Sequence, residues 1–141
     1  MFLSASVSNM GQLAKHEVYA AGIVERFDRC ALIVLPKSPG GARLWRFPRG
    51  PVLPSESPEA AMRRIARTTL GLGVEVLVGQ PPIVTVLDGQ EITMRYFFCG
   101  VGRGEVRSDV YRESRWVSRA HLREYEFEES CRPVVEWLLQ E

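Results

Sequence analysis

The chain has 141 residues, 45% of them hydrophobic and 25% charged, with a formal net charge of +1. These values predict one globular domain with a single core, and leave no global field to attract nucleic acid or a membrane surface. No apolar run is long enough to span a bilayer.

The opening segment MFLSASVSNMGQL lacks the basic start and sustained apolar stretch of a signal peptide. Residues 1–15 read as a flexible tail and 16–141 as the domain. After Glu17, VYAAGIVER reads as a strand, Asp28-Arg29 as a turn, and CALIVLP as a buried strand. KSPGG at 37–41 is a turn cluster, leading to LWRF at 44–47, a short strand ending at Pro48.

The next element carries full helical punctuation. Ser57 caps, Pro58 takes the first helical position and Glu59 favours the positive end of the dipole. Ala61, Met62, Ile65, Ala66 and Leu70 recur at helical spacing, and Gly71 is a left-handed stop.

Val74, Val76 and Val78 alternate as a strand, and IVTVL follows Pro81-Pro82. Asp88-Gly89 signals a hairpin into ITMRYFFCGV. A polar loop from Gly102 to Tyr111 leads to RWV, a short strand, after which Ser118 starts the helical turn SRAHLREY. In SCRPVVEWLLQ, Pro133 is tolerable only in the first turn of a helix, whose stripe is Val134, Val135, Leu138 and Leu139. Helices packed on a mixed sheet predict an α/β/α sandwich with two or three flanking helices.

Cys30, Cys99 and Cys131 are widely spaced and odd in number, which fits reduced structural thiols in a cytoplasmic protein. His16 and His121 have no companion at ligand spacing, so no metal site is assigned.

Residues 48–72 hold the chemical signal. Gly50 is followed after five residues by Glu56, after seven more by Arg64, and the helix closes at Gly71-Leu72. The segment resembles the box of the Nudix hydrolases, G-x5-E-x7-R-E-U-x-E-E-x-G-U with U aliphatic. Trp45 to Gly50 (WRFPRG) is similar to the W-x-F-P-K-G entry of members acting on dinucleoside polyphosphates, and ESRWVSRAHL at 113–122 is similar to the family's later strand and turn. The resemblance runs from about residue 17 to 139 and implies a Nudix-like fold. It also implies that positions 65, 68 and 69 are where the family keeps metal-binding and catalytic glutamates; here they are Ile65, Thr68 and Thr69. Leu53 stands where many members have another acid.

Hydrolysis of a pyrophosphate requires charge neutralisation and an activated water, which carboxylate-held divalent metals supply together. Spacing of i, i+3 and i+4 puts positions 65, 68 and 69 on one stripe, and there the stripe carries no acid. The leading expectation is therefore a Nudix-fold module that binds a nucleotide or other phosphorylated ligand, without hydrolysing it and without a cofactor. The alternative is an active pyrophosphohydrolase using magnesium and displaced acids, drawn from Glu56, Glu59, Glu105 and Glu113.

Arg43, Arg46, Arg49, Arg63, Arg64 and Arg67 face Glu56 and Glu59, six positive less two negative, or +4. Guanidinium forks suit phosphate, which makes Arg46, Arg49, Arg64, Thr68 and Thr69 the candidate ligand contacts. The plainer readings are that Arg64 and Glu56 brace the loop, that the threonines bond back to their own helix, and that the other arginines are solvated. A homodimer or a protein partner is also open, with Trp137 and the terminal leucines as a candidate interface.

Overall fold

The computed structural model describes residues 17–37, 43–102 and 104–140. The expected tail, His16 and most of the 37–41 turn lie outside them.

The elements are β1 (Val18–Arg26), β2 (Cys30–Pro36), β3 (Arg49–Pro51), α1 (Pro58–Leu70), β4 (Glu75–Gly79), β5 (Ile83–Leu87), β6 (Gln90–Val101) and β7 (Tyr111–Ser118). Two 3-10 turns, Arg119–Glu124 and Glu129–Cys131, lead into α2 (Arg132–Gln140). The sheet runs β4-β6-β1-β2-β7, with β3 also on β1 and β5 also on β6. β1 and β6 are parallel over nine residues from Val18↔Thr93 to Arg26↔Val101, while the other pairings are antiparallel. The sheet is mixed, as expected.

Side-chain alternation along the central strands divides the core in two. Ala21 and Ile23 of β1 and Ile33 of β2 join Leu122, Val134 and Leu138 on one face. Ala20, Val24 and Leu32 join Met62, Ile65 and Leu70 of α1 on the other. Strands buried on both faces explain why VYAAGIVER and CALIVLP are continuous apolar runs.

α1 begins and ends as its punctuation predicts. The Ser57 hydroxyl accepts from Ala60 N at 3.1 Å, and Gly71 adopts φ +69° with its N–H bonded to the last turn. Asp88 and Gly89 both have positive φ, 52° and 78°, matching a tight hairpin.

Three expectations are corrected. LWRF is not a strand: Trp45 and Arg46 make only isolated bridges, to Phe127 and Val34, and the strand lies beyond Pro48 at Arg49–Pro51. Trp45 exchanges backbone hydrogen bonds with Glu126 and Glu128 while Arg46 exchanges them with Val34, so neighbouring residues serve different partners. Pro48, with no N–H to give, interrupts the ladder. The strand around RWV is longer than expected, eight residues, because β2 pairs with it along its whole length. Ser118 does not cap the turn after it; its hydroxyl meets His121 Nδ1 at 3.0 Å instead.

Candidate functional site

Gly50 lies on β3 opposite Ala20 of β1, and α1 crosses directly above it. A Cβ on Gly50 would come within 3.0 Å of Ile65 Cδ1 and Cγ1. Glycine at this position therefore lets the helix approach the strand. Ile65, 2% exposed, fills the space with carbon.

The loop from β3 to α1 is tied by one ion pair. Arg64 Nε donates to Glu56 Oε2 at 2.8 Å, and Nη2 donates to Oε1 at 3.0 Å and to the Pro51 carbonyl at 2.9 Å. Glu56 Oε1 also accepts from Leu53 N at 3.0 Å. These bonds stabilise the ionised carboxylate, so the Arg64 guanidinium, with the Leu53 N–H second, holds the Glu56 carboxyl below its ordinary value. A three-contact guanidinium of this kind serves the loop first.

One turn on, Thr68 Oγ1 donates to the Arg64 carbonyl at 2.9 Å and Thr69 Oγ1 to the Ile65 carbonyl at 2.5 Å. Glu59 is exposed in the first helical turn, and Arg63 and Arg67 are exposed farther along α1.

A cleft of about 560 Å3 opens beside Gly50. Tyr19, Leu44 and Ile92 contribute its apolar wall, and Arg46 and Arg49 its basic one. Glu128 lies between the arginines, Oε2 at 2.8 Å from Arg46 Nη2 and Oε1 at 2.9 Å from Arg49 Nη1. Arg49 also reaches Ser130 Oγ at 3.5 Å, while Arg46 Nε is buried with no hydrogen-bond partner. Glu17, Asp88 and Glu129 line the same cleft, so four carboxylates face two guanidinia there.

Sequence reading missed Glu128. It sits in the acidic run EYEFEES, far from its partners in the chain, and no local spacing marks it. With it, the basic cluster around the box changes character. Arg43 pairs with Glu113, Arg46 and Arg49 with Glu128, and Arg64 with Glu56. Four of the six arginines thus meet acids, three of those arginines through Glu113 and Glu128 in the last third of the chain.

The model of the NUDIX domain matches residues 15–138. The chain belongs to the Nudix family. The fold of MutT from Methanosarcina mazei Go1 is similar, with TM-score 0.77 at 19% identity over 88% of this chain and 93% of that one. A NUDIX hydrolase from Nitrosomonas europaea (TM-score 0.72, 20% identity, 88% and 86% covered) and a C. elegans Ap4A hydrolase in a binary complex (TM-score 0.71, 13%, 85% and 93%) share the fold. No curated protein matches the chain in sequence.

Nudix hydrolases work with magnesium, an ion that prefers charged or carbonyl oxygen ligands. At the three Nudix-box positions on α1, Ile65 has no oxygen, and both threonine hydroxyls point their protons at helix carbonyls. Glu56 is engaged by Arg64. Among the described residues no three His, Cys, Asp or Glu side chains gather where they could share an ion. This donor set does not fit a magnesium ion.

Of the other acids considered as substitutes, Glu59 is exposed, while Glu105 and Glu113 are engaged elsewhere. Glu113 bonds Arg115 at 2.9 Å and Arg43 at 3.1 Å, and Glu105 pairs with Arg107 at 3.2 Å on an exposed loop. Cys99 and Cys131 are buried among apolar neighbours and Cys30 is half-buried, all three as free thiols; burial pushes the Cys99 thiol up to about 12. No helix among the described residues is long and apolar enough to cross a membrane.

Proposed function

We propose that this Nudix chain binds a nucleotide or a similar phosphorylated small molecule in the cleft beside Gly50 and does not hydrolyse it. The observation that carries this reading is the stripe of α1 at 65, 68 and 69: one buried isoleucine and two threonines bonded to their own helix. Such a surface cannot concentrate divalent cations at a phosphoanhydride.

The lining of the cleft supports a nucleotide over simple phosphate. Its carboxylates accept hydrogen bonds, which suits the amino groups of a base, and Tyr19, Leu44 and Ile92 offer an apolar surface for a ring. Arg46 and Arg49 supply the anion-binding groups, shared with Glu128. Arg64, Thr68 and Thr69 lie outside the lining of this cleft; Arg64 keeps its Nη1 donors for an anion, whereas the single hydroxyl protons of Thr68 and Thr69 are committed to helix carbonyls. The buried thiols fit residence in a reducing cytoplasm.

A magnesium titration with dinucleoside polyphosphate and nucleoside-diphosphate-linked compounds tests the proposal. The expected result is saturable binding with no turnover at any magnesium concentration. Metal-dependent release of a nucleoside monophosphate would overturn it in favour of an active pyrophosphohydrolase.

A further inference from the structure

β5 is an edge strand without the usual protection. It pairs with β6 on one side, and among the described residues no strand lies along the other. Its residues, Ile83-Val84-Thr85-Val86-Leu87, include no charge, proline or bulge, the devices by which edges resist a second chain. Ile83 and Leu87 turn into the α2-side core, while Val84 and Val86 on the opposite face are 61% and 59% exposed.

We infer that β5 pairs antiparallel with β5 of a second copy about a two-fold axis at Thr85, joining two sheets into one. The sequence of the strand is self-complementary under that operation. Val84 falls opposite Val86 of the partner subunit, and Val86 opposite Val84 of the partner subunit, giving two β-branched cross-strand pairs. Alternative registers shifted by two residues leave one valine of each copy unmatched.

Charge follows the same symmetry. The β5–β6 register runs Ile83↔Met94 through Leu87↔Gln90, so Arg95 lies in the row of Pro82. Continued across the axis, that row meets Asp88 of the partner subunit. Arg95 Nε is buried without a hydrogen-bond partner among the described residues, and Asp88 is exposed at the hairpin tip. Two strand spacings put the two Cα atoms about 10 Å apart, a gap that an arginine and an aspartate close between them. Glu91, which sits opposite Val86, shares its row with Thr93 of the partner subunit, so no like charges meet. Asp88 also lines the cleft beside Gly50. Pairing therefore brings Arg95 of the partner subunit to the cleft rim.

Sedimentation of the whole chain over a range of micromolar concentrations tests this. The expected result is a reversible dimer, weakened at least about tenfold by Val84→Lys/Val86→Lys, with the melting temperature of the dilute monomer retained. Asp88→Asn, which keeps a side chain tolerant of positive φ, and Arg95→Gln should each weaken the dimer, and together no more than either alone. A wild-type chain that stays monomeric overturns the inference. So does a dimer whose constant is unchanged in the lysine and asparagine variants, since its interface then lies elsewhere.

Discussion

Gly50 and Ile65 meet across the gap between β3 and α1 with no room for one more carbon: a Cβ on the glycine would sit 3.0 Å from two atoms of the isoleucine. This contact sets the height of the box helix above the strand. It also turns position 65, where the family resemblance expects an acid, into part of the core.

The contact makes the two residues energetically dependent. Gly50→Ala should cost about 1–3 kcal/mol through overpacking, and Ile65→Val about 0.5–1.5 kcal/mol. Removing Ile65 Cδ1 relieves part of the alanine's clash, so the double variant should lose at least about 0.5 kcal/mol less than the sum. Urea unfolding of the four proteins measures this. Strict additivity would mean that helix and strand do not press on each other here.

Glu56 predicts an acid-side signature. Its folded carboxyl is held below the ordinary value of 4.5, chiefly by Arg64. A depressed carboxyl stabilises the fold above its unfolded pKa, and that contribution is lost as pH falls through the lower folded value. Stability of the wild type should therefore fall more steeply than that of Glu56→Gln as pH drops below about 5. Parallel acid titrations would show that the loop pair adds nothing.

Much of the fold was legible because its signals are local. Ser57, Pro58 and Gly71 punctuate α1 within a few residues, and Asp88-Gly89 can only turn. LWRF misled because its pattern is that of a strand, while its backbone bonds go to Val34, Glu126 and Glu128, which no local rule foresees. The site divides the same way. The distance from Gly50 to Arg64 is a spacing, and spacing survives in sequence. The charge state of the arginine cluster depends on Glu113 and Glu128, reached only through the folded chain.

Glu128 should act in two opposed ways. Its two contacts hold half-buried guanidinia, so Glu128→Gln should destabilise the protein by about 1–3 kcal/mol. The same change frees Arg46 and Arg49 for an incoming anion. Calorimetry with ADP should then show tighter binding than in the wild type, with a steeper loss of affinity as salt is raised. Weaker binding by the variant would show that Glu128 contacts the ligand or that the arginines do not.

The final prediction concerns putting acids back on the box helix. Thr68 is exposed and Thr69 half-buried, so glutamates there reach solvent at a cost near that of lost hydrogen bonds to the helix, which is small. Ile65→Glu differs, because it places a carboxylate under Gly50 where an aliphatic side chain is packed. Burying that charge should cost several kcal/mol, or raise its pKa until it is protonated. Thr68→Glu/Thr69→Glu should accordingly fold and gain weak magnesium affinity, seen as a melting temperature that rises with magnesium. The triple variant should melt lower without the ion and recover more when it is added, since metal binding offsets the buried charge. If magnesium shifts neither variant, the stripe does not face a space that an ion can enter.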